Sequence, residues 1–371
     1  MRLHRQARLA SVVTVGALAL AACGSDNVTP PSATGGTGTT GANAANCASG
    51  SFTAAGSSAQ KPAFNAWIQG YQGNCANASV NYDGQGSGNG RTQFIQKQVP
   101  LAGSDSYLPD TQTAQADARC TGGKAVNIPM VLTPVAMIYN LKGVTSLTLT
   151  PSTIAKIFSG KITSWNDPAI AAANKGVPLP ATTVTPVHRA TDSGTTDNFT
   201  KFLAAQAPTD WTFGSGQAWK APGGVGGKDS AAVVQNVKGT DGAIGYVDGP
   251  DARKNNLTPA ALDTGSGPVE ISADSVGKAV EAATTTTNGQ DISVKINYGL
   301  KAAGTYPAIL ATYEITCTAG LPSDQAAFVR TFLTYTSSSA GQGLLANLGH
   351  LPLPASLLTK VQVAVAALPA S

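Results

Sequence analysis

The chain alternates short apolar runs with segments whose apolar residues recur at helical spacing. After the first run, Phe64, Trp67 and Tyr71 fall on one face of a helix. Runs that are typical of buried strands lie at 51–55, 78–84, 125–141, 242–247 and 306–317. Strands that alternate with helices predict an α/β fold with mainly parallel sheets.

Two of the apolar runs are placed where a chain could pass between lobes. Roughly 320 residues follow the N-terminal region, which is more than one core comfortably holds, so two lobes are expected. The run at 125–141 would carry the chain to the second lobe, and the run at 306–317 would bring it back. We therefore predict that lobe I comprises residues 47–132 and 307–371, and that lobe II comprises 133–306.

The N-terminus has the pattern of a secretory signal peptide. Arg2, Arg5 and Arg8 precede an apolar run that is too short to favour a membrane-spanning helix. The run ends in "LAAC", which looks like a bacterial lipobox ending at Cys23. We expect residues 1–22 to be a signal peptide, Cys23 to be lipidated and 23–46 to be a flexible tether. The alternative is an ordinary signal peptide with a chance cysteine.

Charge and composition argue against a nucleic-acid partner. Lys and Arg number 24 against 20 acidic residues. Removing residues 1–22 takes away three arginines and no acid, which leaves 21 cations against 20 acids and a net charge of +1. No clustered basic face is evident, and charged residues make up only 12% of the chain, as in many exported proteins.

Four cysteines remain after Cys23, which favours two disulfides in an oxidising compartment, with three possible connectivities. Cys47 and Cys75 each precede a predicted strand near the N-terminus, so we pair them, which leaves Cys120 with Cys317. Free buried thiols are the alternative. No CxxC spacing is present, so no metal site is expected.

Hydroxyl residues stand at three predicted strand-to-helix turns. They are Ser57-Ser58, Ser87-Gly88 and Ser193-Gly194-Thr195. Arg189 precedes the third turn, and Asp105 lies in a fourth loop. Strand ends that meet helix starts form the usual ligand edge of an α/β sheet, and free N–H groups at a helix start favour an anion. Alternatively, "TDSGTTDNF" is a capped helix start and nothing more.

Longer blocks of sequence resemble one protein family. "IAKIFSGKITSWNDPAIAAANKGVPLP" and "VTPVHRATDSGTTDNFTKFL" (within 154–203) follow the family pattern in order and spacing, as do "GQGSGNG", "AGSDSYL", "GAIGYVDG" and "LGHLPLP". On these motifs the chain resembles the substrate-binding lipoproteins of bacterial high-affinity phosphate ABC transporters. The resemblance implies the type II periplasmic-binding-protein-like fold, with dehydrated phosphate in a cleft between two lobes joined by a two-strand hinge.

The resemblance also implies a set of ligands for phosphate. Position by position they are Ser58, the backbone N–H of Ala59, Ser87, Asp105, Arg189, Ser193, Gly194 and Thr195. One position departs from the family pattern. The family commonly has an acid two residues after the arginine, where this chain has Thr191, followed by Asp192. The acid that orients Arg189 is therefore hypothesised to have shifted by one residue.

Within this set, Asp105 is interpreted as a selectivity element. A carboxylate repels an anion unless the anion brings a proton, which phosphate carries near neutral pH and sulfate does not. The alternative for Asp105 is a simple turn or cap role.

The implied function is extracytoplasmic phosphate binding by a lipid-anchored monomer, with delivery to the permease of an ABC transporter and with no cofactor. A surface phosphate sensor, or a binder of another oxyanion, is the alternative. An exported serine hydrolase is disfavoured, because the mature chain has only His188 and His350 and lacks a G-x-S-x-G elbow. "APGGVGGKDSA" (221–231) resembles a P-loop but fails its pattern at Pro222 and Asp229.

Overall fold

The computed structural model describes residues 47–370. The signal peptide, Cys23 and the tether predicted above lie outside the described residues. The strands are β1 (Gly50–Gly56), β2 (Ala78–Asp83), β3 (Ala102–Ser104), β4 (Ala125–Asn140), β5 (Thr148–Leu149), β6 (Thr185–Arg189), β7 (Val225–Gly227), β8 (Ala243–Asp248), β9 (Ala261–Asp263), β10 (Pro268–Val269), β11 (Thr284–Asn288), β12 (Asp291–Lys295) and β13 (Ile309–Cys317). The helices are α1 (Lys61–Asn74), α2 (Ser87–Ile95), α3 (Asp110–Arg119), α4 (Pro151–Phe158), α5 (Pro168–Ala173), α6 (Gly194–Gln206), α7 (Ser230–Gly239), α8 (Gly249–Lys254), α9 (Ala273–Glu281), α10 (Ser323–Thr336), α11 (Ser339–Gly343), α12 (Leu345–Leu348) and α13 (Ala355–Ala366).

The main sheet has eight strands in the order β2-β1-β3-β13-β4-β8-β6-β7. Strands near its two ends pair in parallel: β1 with β2 and β3, and β6 with β7 and β8. The central pairs, β3–β13, β13–β4 and β4–β8, are antiparallel. The α/β class is as predicted, whereas the sheet is mixed rather than mainly parallel, because the two long strands run between the parallel groups.

Strand β4 joins the two groups of strands. Its residues 125–134 pair with β13, and its residues 135–140 pair with β8. Every residue of β4 except the first and the last is buried, so both of its faces are covered, which explains its nearly continuous apolar sequence.

A separate apolar core packs on each part of β4. The first core includes Phe64, Trp67, Tyr71, Leu132, Phe328 and Phe332. The second includes Met137, Phe158, Trp165, Phe199, Phe202 and Tyr246. The hairpin of β11 and β12, which lies within the range 133–306, contacts the first core through Ile292. The lobe boundaries given above stay a prediction.

Two disulfides close long stretches of chain. Cys47 is bonded to Cys75 directly after α1, and Cys120, after α3, is bonded to Cys317 at the end of β13. These are the two pairs predicted from the positions of Cys47 and Cys75 before predicted strands. Between residues 47 and 370, the structure contains no helix that is both long and apolar enough to span a bilayer.

The end of β1 approaches β3 so closely that only glycine fits. Gly56 has φ +145°, and a Cβ there would lie 2.0 Å from the carbonyl oxygen of Gly103. We predict that Gly56→Ala lowers the free energy of unfolding by roughly 3 kcal/mol, because strained backbone and overpacking add together. Urea unfolding followed by circular dichroism measures the change.

Gly73 provides the matched control for this substitution. It is exposed near the end of α1, and apart from its chain neighbours and the backbone of its own helix no atom lies within 4 Å of the position a Cβ would take. Gly73→Ala is expected to be neutral or to stabilise by up to about 1 kcal/mol. Equal stabilities of the two variants would contradict the close-approach argument.

Candidate functional site

The predicted ligand residues come together where strands end and helices begin. Ser58 and Ala59 lie in the loop after β1, Ser87 begins α2, and Asp105 follows β3. Arg189 ends β6, and Ser193, Gly194 and Thr195 form the start of α6. All eight residues are buried. The structure therefore brings the whole set together where the carboxyl ends of β1 and β3 face those of β6 and β8 across the middle of β4.

Arg189 lies at the centre of this set. Its Nη1 donates to the hydroxyls of Ser58 at 3.0 Å and of Ser193 at 2.9 Å. Its Nη2 donates to the carbonyl oxygens of Gln85 at 3.4 Å and of Lys228 at 3.1 Å. Its Nε is buried and has no hydrogen-bond partner among residues 47–370. Burial lowers the pKa of Arg189, and nearby acids, including Asp105, oppose that shift.

Thr191, rather than Asp192, contacts the arginine. Nη2 of Arg189 donates to Thr191 Oγ1 at 3.3 Å, and that hydroxyl donates to the carbonyl of Lys228 at 2.9 Å. Asp192 is exposed, and its backbone oxygen accepts from Gly88 N at 3.4 Å. The hypothesis that Asp192 orients Arg189 directly is wrong for this conformation. Within the described part of the chain, the arginine's hydrogen-bond acceptors are hydroxyls and carbonyls.

Asp105 is held by hydroxyl donors on both oxygens. Thr312 donates to Oδ1 at 2.8 Å, and Ser87 donates to Oδ2 at 3.2 Å. Its own backbone N–H donates to Ser87 Oγ at 3.0 Å. Burial raises the pKa of Asp105, whereas hydrogen bonds from Ser57, Thr312 and Ser87 and the charge of Arg189 lower it. These donors support the ionised carboxylate in a buried position.

The start of α6 packs directly against this acid. Ser193 is the N-cap and accepts from Thr196 N at 3.3 Å. A Cβ at Gly194 would lie 2.5 Å from Cβ of Asp105 and 2.7 Å from Oγ of Ser87, so a larger residue would not fit. The Thr195 hydroxyl is buried and finds no hydrogen-bond partner in the described structure. The start of α6 therefore adds a buried hydroxyl without a partner two residues after Ser193, which Arg189 Nη1 contacts, and a helix start beside a guanidinium suits an anion.

Three further residues near the site were missed by sequence reasoning. Ser230 begins α7, and its hydroxyl lies 2.9 Å from that of Ser58. The hydroxyl of Tyr246 accepts from Arg189 N at 3.2 Å, and Thr312 reaches Asp105 from β13. The "KDSA" segment carries the Asp-Ser pair also seen in "TDSGT", which was a usable signal for Ser230. Tyr246 and Thr312 lie inside buried strands, where no local pattern distinguishes them.

The two histidines of the described chain have other partners. The ring of His188 stacks on Trp219, with centroids 4.7 Å apart, and its Nδ1 lies 2.9 Å from the carbonyl oxygen of Arg189. Nδ1 of His350 lies 2.8 Å from the hydroxyl of Thr133. Among residues 47–370, no three His, Cys, Asp or Glu side chains are grouped so that they could hold a metal ion.

A cavity of about 940 Å³ lies apart from this site. It is mainly apolar and is lined by Pro134, Leu257, Val276 and His350, among others. None of the eight predicted ligand residues lines it. The convergence of polar groups, rather than the volume, identifies the candidate binding site.

A second buried acid lies behind Asp105. Glu314 on β13 faces Gly103 of β3 across the sheet, and its Oε1 accepts from Gln60 Nε2. Its Oε2 has no partner among the described residues. Burial raises the pKa of Glu314 from 4.5 to about 7, the Gln60 bond lowers it, and the charge of Asp105 raises it. The acid thus links the first loop, which carries Ser58, to the strand beneath the site.

Known proteins are similar to this chain in sequence and in fold. A family model of the PBP superfamily domain matches residues 41–340. The chain is 37% identical to the phosphate-binding protein PstS 3 of Mycobacterium tuberculosis over 373 residues, which cover 99% of this chain and 100% of that protein. It is 35% identical to the phosphate-binding protein PstS 2 of the same species, with the same coverage of both chains.

Solved structures are similar at lower sequence identity. A high affinity periplasmic phosphate-binding protein (PfluDING) bound with phosphate matches with a TM-score of 0.68 at 21% identity, covering 84% of this chain and 93% of that chain. A phosphate binding protein from Stenotrophomonas maltophilia matches with a TM-score of 0.65 at 22% identity, covering 85% and 93%. The fold is thus that of the type II periplasmic binding proteins. The chain belongs to the PBP superfamily and, within it, to the PstS family of phosphate-binding proteins.

The raised pKa of Glu314 predicts a pH-dependent stability. An acid whose pKa is higher in the folded chain stabilises that chain fully below pH 4.5, and this contribution is lost as pH rises through about 7. The loss amounts to at most about 3 kcal/mol, since one pKa unit corresponds to about 1.4 kcal/mol. We expect Glu314→Gln to reduce the fall in unfolding free energy between pH 5 and pH 8, measured by urea unfolding in phosphate-free buffer.

Glu281→Gln, at the exposed end of α9, is the control and should leave the pH profile of the wild type unchanged. If Glu314→Gln and the wild type lose the same stability over this pH range, Glu314 does not titrate there.

Proposed function

We propose that this chain binds inorganic phosphate between the carboxyl ends of β1 and β3 and that of β6, and delivers it to an ABC-transporter permease without chemical turnover. The observation that carries the proposal is the convergence of one buried guanidinium, several helix-start donors and one buried carboxylate on a single place. Membership of the PstS family supports the same function, since the relatives are named phosphate-binding proteins.

The chemistry of the donor set suits a tetrahedral oxyanion. Arg189 Nε and Thr195 Oγ1 are buried donors without partners among residues 47–370, and phosphate oxygens would satisfy both. We assign hydroxyl donation to Ser87, Ser193 and Thr195, and backbone N–H donation to Ala59 and Gly194. Ser58 lies beside the ligand, where its hydroxyl accepts from Arg189 Nη1. Ser87 would release its bond to Asp105 in order to donate to the ligand, because its hydroxyl has only one hydrogen.

Closure of two lobes over the ligand fits the contacts across the site. Ser106 Oγ donates to Asp197 at 2.6 Å, and Asn198 Nδ2 donates to the carbonyl oxygen of Asp105 at 2.7 Å. Ser106 and Asp105 belong to the range proposed for lobe I, and the partners on α6 belong to lobe II. Such contacts exclude water and strengthen each bond to a buried ion.

We further propose that the protein works outside the cytoplasm as a monomer, anchored by a lipid on Cys23. The signal-peptide and "LAAC" patterns support this placement. Incorporation of labelled palmitate can be compared between the wild type and Cys23→Ala. Label in the wild type alone would support the lipid anchor, and equal labelling of both proteins would contradict it.

Removing the side chain of Arg189 tests whether its guanidinium binds phosphate. Arg189→Ala should weaken phosphate binding by roughly ten- to a hundredfold, because a hydrogen bond to a charged group contributes about 1.5–3 kcal/mol. Isothermal titration calorimetry on phosphate-stripped protein measures the affinity, and circular dichroism checks the fold. Arg253→Ala, on the exposed side of α8, is the matched control. If a folded Arg189→Ala protein binds phosphate as tightly as the wild type, the segment from Arg189 to Thr195 is a capped helix start without a role in binding.

A further prediction concerns the selectivity of Asp105. Its carboxylate can only accept, so it tolerates monobasic or dibasic phosphate, each of which brings a proton, and repels fully ionised sulfate. In Asp105→Asn, the amide oxygen can keep the bond from Thr312 while the amide nitrogen donates. We expect the preference for phosphate over sulfate to narrow by about tenfold or more, a change of at least about 1.4 kcal/mol, chiefly through better sulfate binding.

Both affinities are measured by calorimetry at one pH and one ionic strength. Asp192→Asn serves as the control, because it removes a nearby negative charge from an exposed side chain. An unaltered preference in Asp105→Asn would mean that the donor array alone discriminates between the two anions.

A further inference from the structure

Ser230 brings a fourth helix start to the proposed phosphate site. It is the first residue of α7 and is 2% exposed. Its hydroxyl lies 2.9 Å from the hydroxyl of Ser58, and its backbone N–H donates to the same oxygen at 3.4 Å. Asp229, the N-cap of α7, accepts from Ala232 N at 2.8 Å and so holds this helix start in place.

The donors around Ser58 determine the direction of the hydroxyl contact. Arg189 Nη1 and Ser230 N both direct an N–H at Ser58 Oγ. A hydroxyl oxygen has two lone pairs and one hydrogen, so these two donors use its acceptor capacity. Ser58 must therefore donate its hydrogen to Ser230 Oγ. The hydrogen of Ser230 remains free, because Ser58 is the only hydrogen-bond partner of its hydroxyl among residues 47–370.

The surroundings of Ser230 favour an anion as the acceptor of that hydrogen. Arg189 Nη2 donates to the carbonyl of Lys228, which ties the segment before α7 to the arginine. The unpaired donors Arg189 Nε and Thr195 Oγ1 are buried in the same site. The start of α7 adds a partial positive charge of its own, as the start of α6 does.

We propose that Ser230 is a further phosphate ligand, which donates its hydroxyl hydrogen to the anion while accepting from Ser58. This role rests on the proposed phosphate binding. Ser58 belongs to the range proposed for lobe I and Ser230 to the range proposed for lobe II. The hydrogen bond between their hydroxyls therefore connects the two ranges next to the bound anion.

Calorimetry with inorganic phosphate on the phosphate-stripped mature chain tests the assignment. Ser230→Ala should bind phosphate roughly ten- to a hundredfold more weakly than the wild type, as expected for loss of a bond to a charged group. Ser230→Thr keeps the hydroxyl and should recover most of the affinity. Ser323→Ala, at the exposed first position of α10, is the matched control and should leave the affinity unchanged.

A double-mutant cycle separates a ligand from a residue that only positions Ser58. If Ser230 touches the anion, adding Ser230→Ala to Ser58→Ala should weaken phosphate binding further. If the second substitution has no effect in that background, Ser230 acts only through Ser58 and the assignment is overturned. Wild-type affinity in Ser230→Ala overturns it as well. A wild type that does not bind phosphate would instead overturn the proposed function, and this assignment with it.

Discussion

A buried guanidinium surrounded by uncharged acceptors is the interaction on which the site depends. Arg189 is 2% exposed, and in the described structure its hydrogen bonds go to hydroxyl and carbonyl oxygens. A buried cation without a directly bonded counter-ion is costly, as its lowered pKa reflects. An anion that binds beside Nε would supply a counter-charge and so offset the cost of burying Arg189.

The directions of the strands bring the groups that surround Arg189 together. β1 and β3 are parallel neighbours, as are β6 and β7, so the loops after them open at shared edges. The long strand β4 pairs with β13 along one part and with β8 along the other, and thereby connects the two parallel groups. Each loop then contributes a helix start or a strand end, and no single element has to carry the whole donor set.

Much of this arrangement could be predicted from the sequence, because its signals are local. The run Ser193-Gly194-Thr195 predicted the start of α6, because hydroxyl residues and glycine favour a helix N-terminus. The pairing of β4 was beyond prediction, since a fully buried strand reads the same whether its neighbours are parallel or antiparallel. Ser230 was missed for another reason. Its segment, "GGVGGKDSA", resembles a P-loop that fails at Asp229, and this resemblance obscures the role of Asp229 as the N-cap of α7.

The buried acids Asp105 and Glu314 lie near a site proposed for an anion, which a negative charge would repel. Their hydrogen-bond partners explain how both acids are accommodated. Asp105 is held by Thr312 and Ser87 and lies close enough to Arg189 to feel its charge. Glu314 has one donor, Gln60, and its pKa of about 7 places it near half protonation in neutral solution. The charge of Asp105 favours the protonated form of Glu314, so the pair avoids carrying two full negative charges. The carboxylate of Asp105 can then accept a hydrogen bond from a proton that the ligand carries, while the arginine and the helix starts balance the ligand's charge.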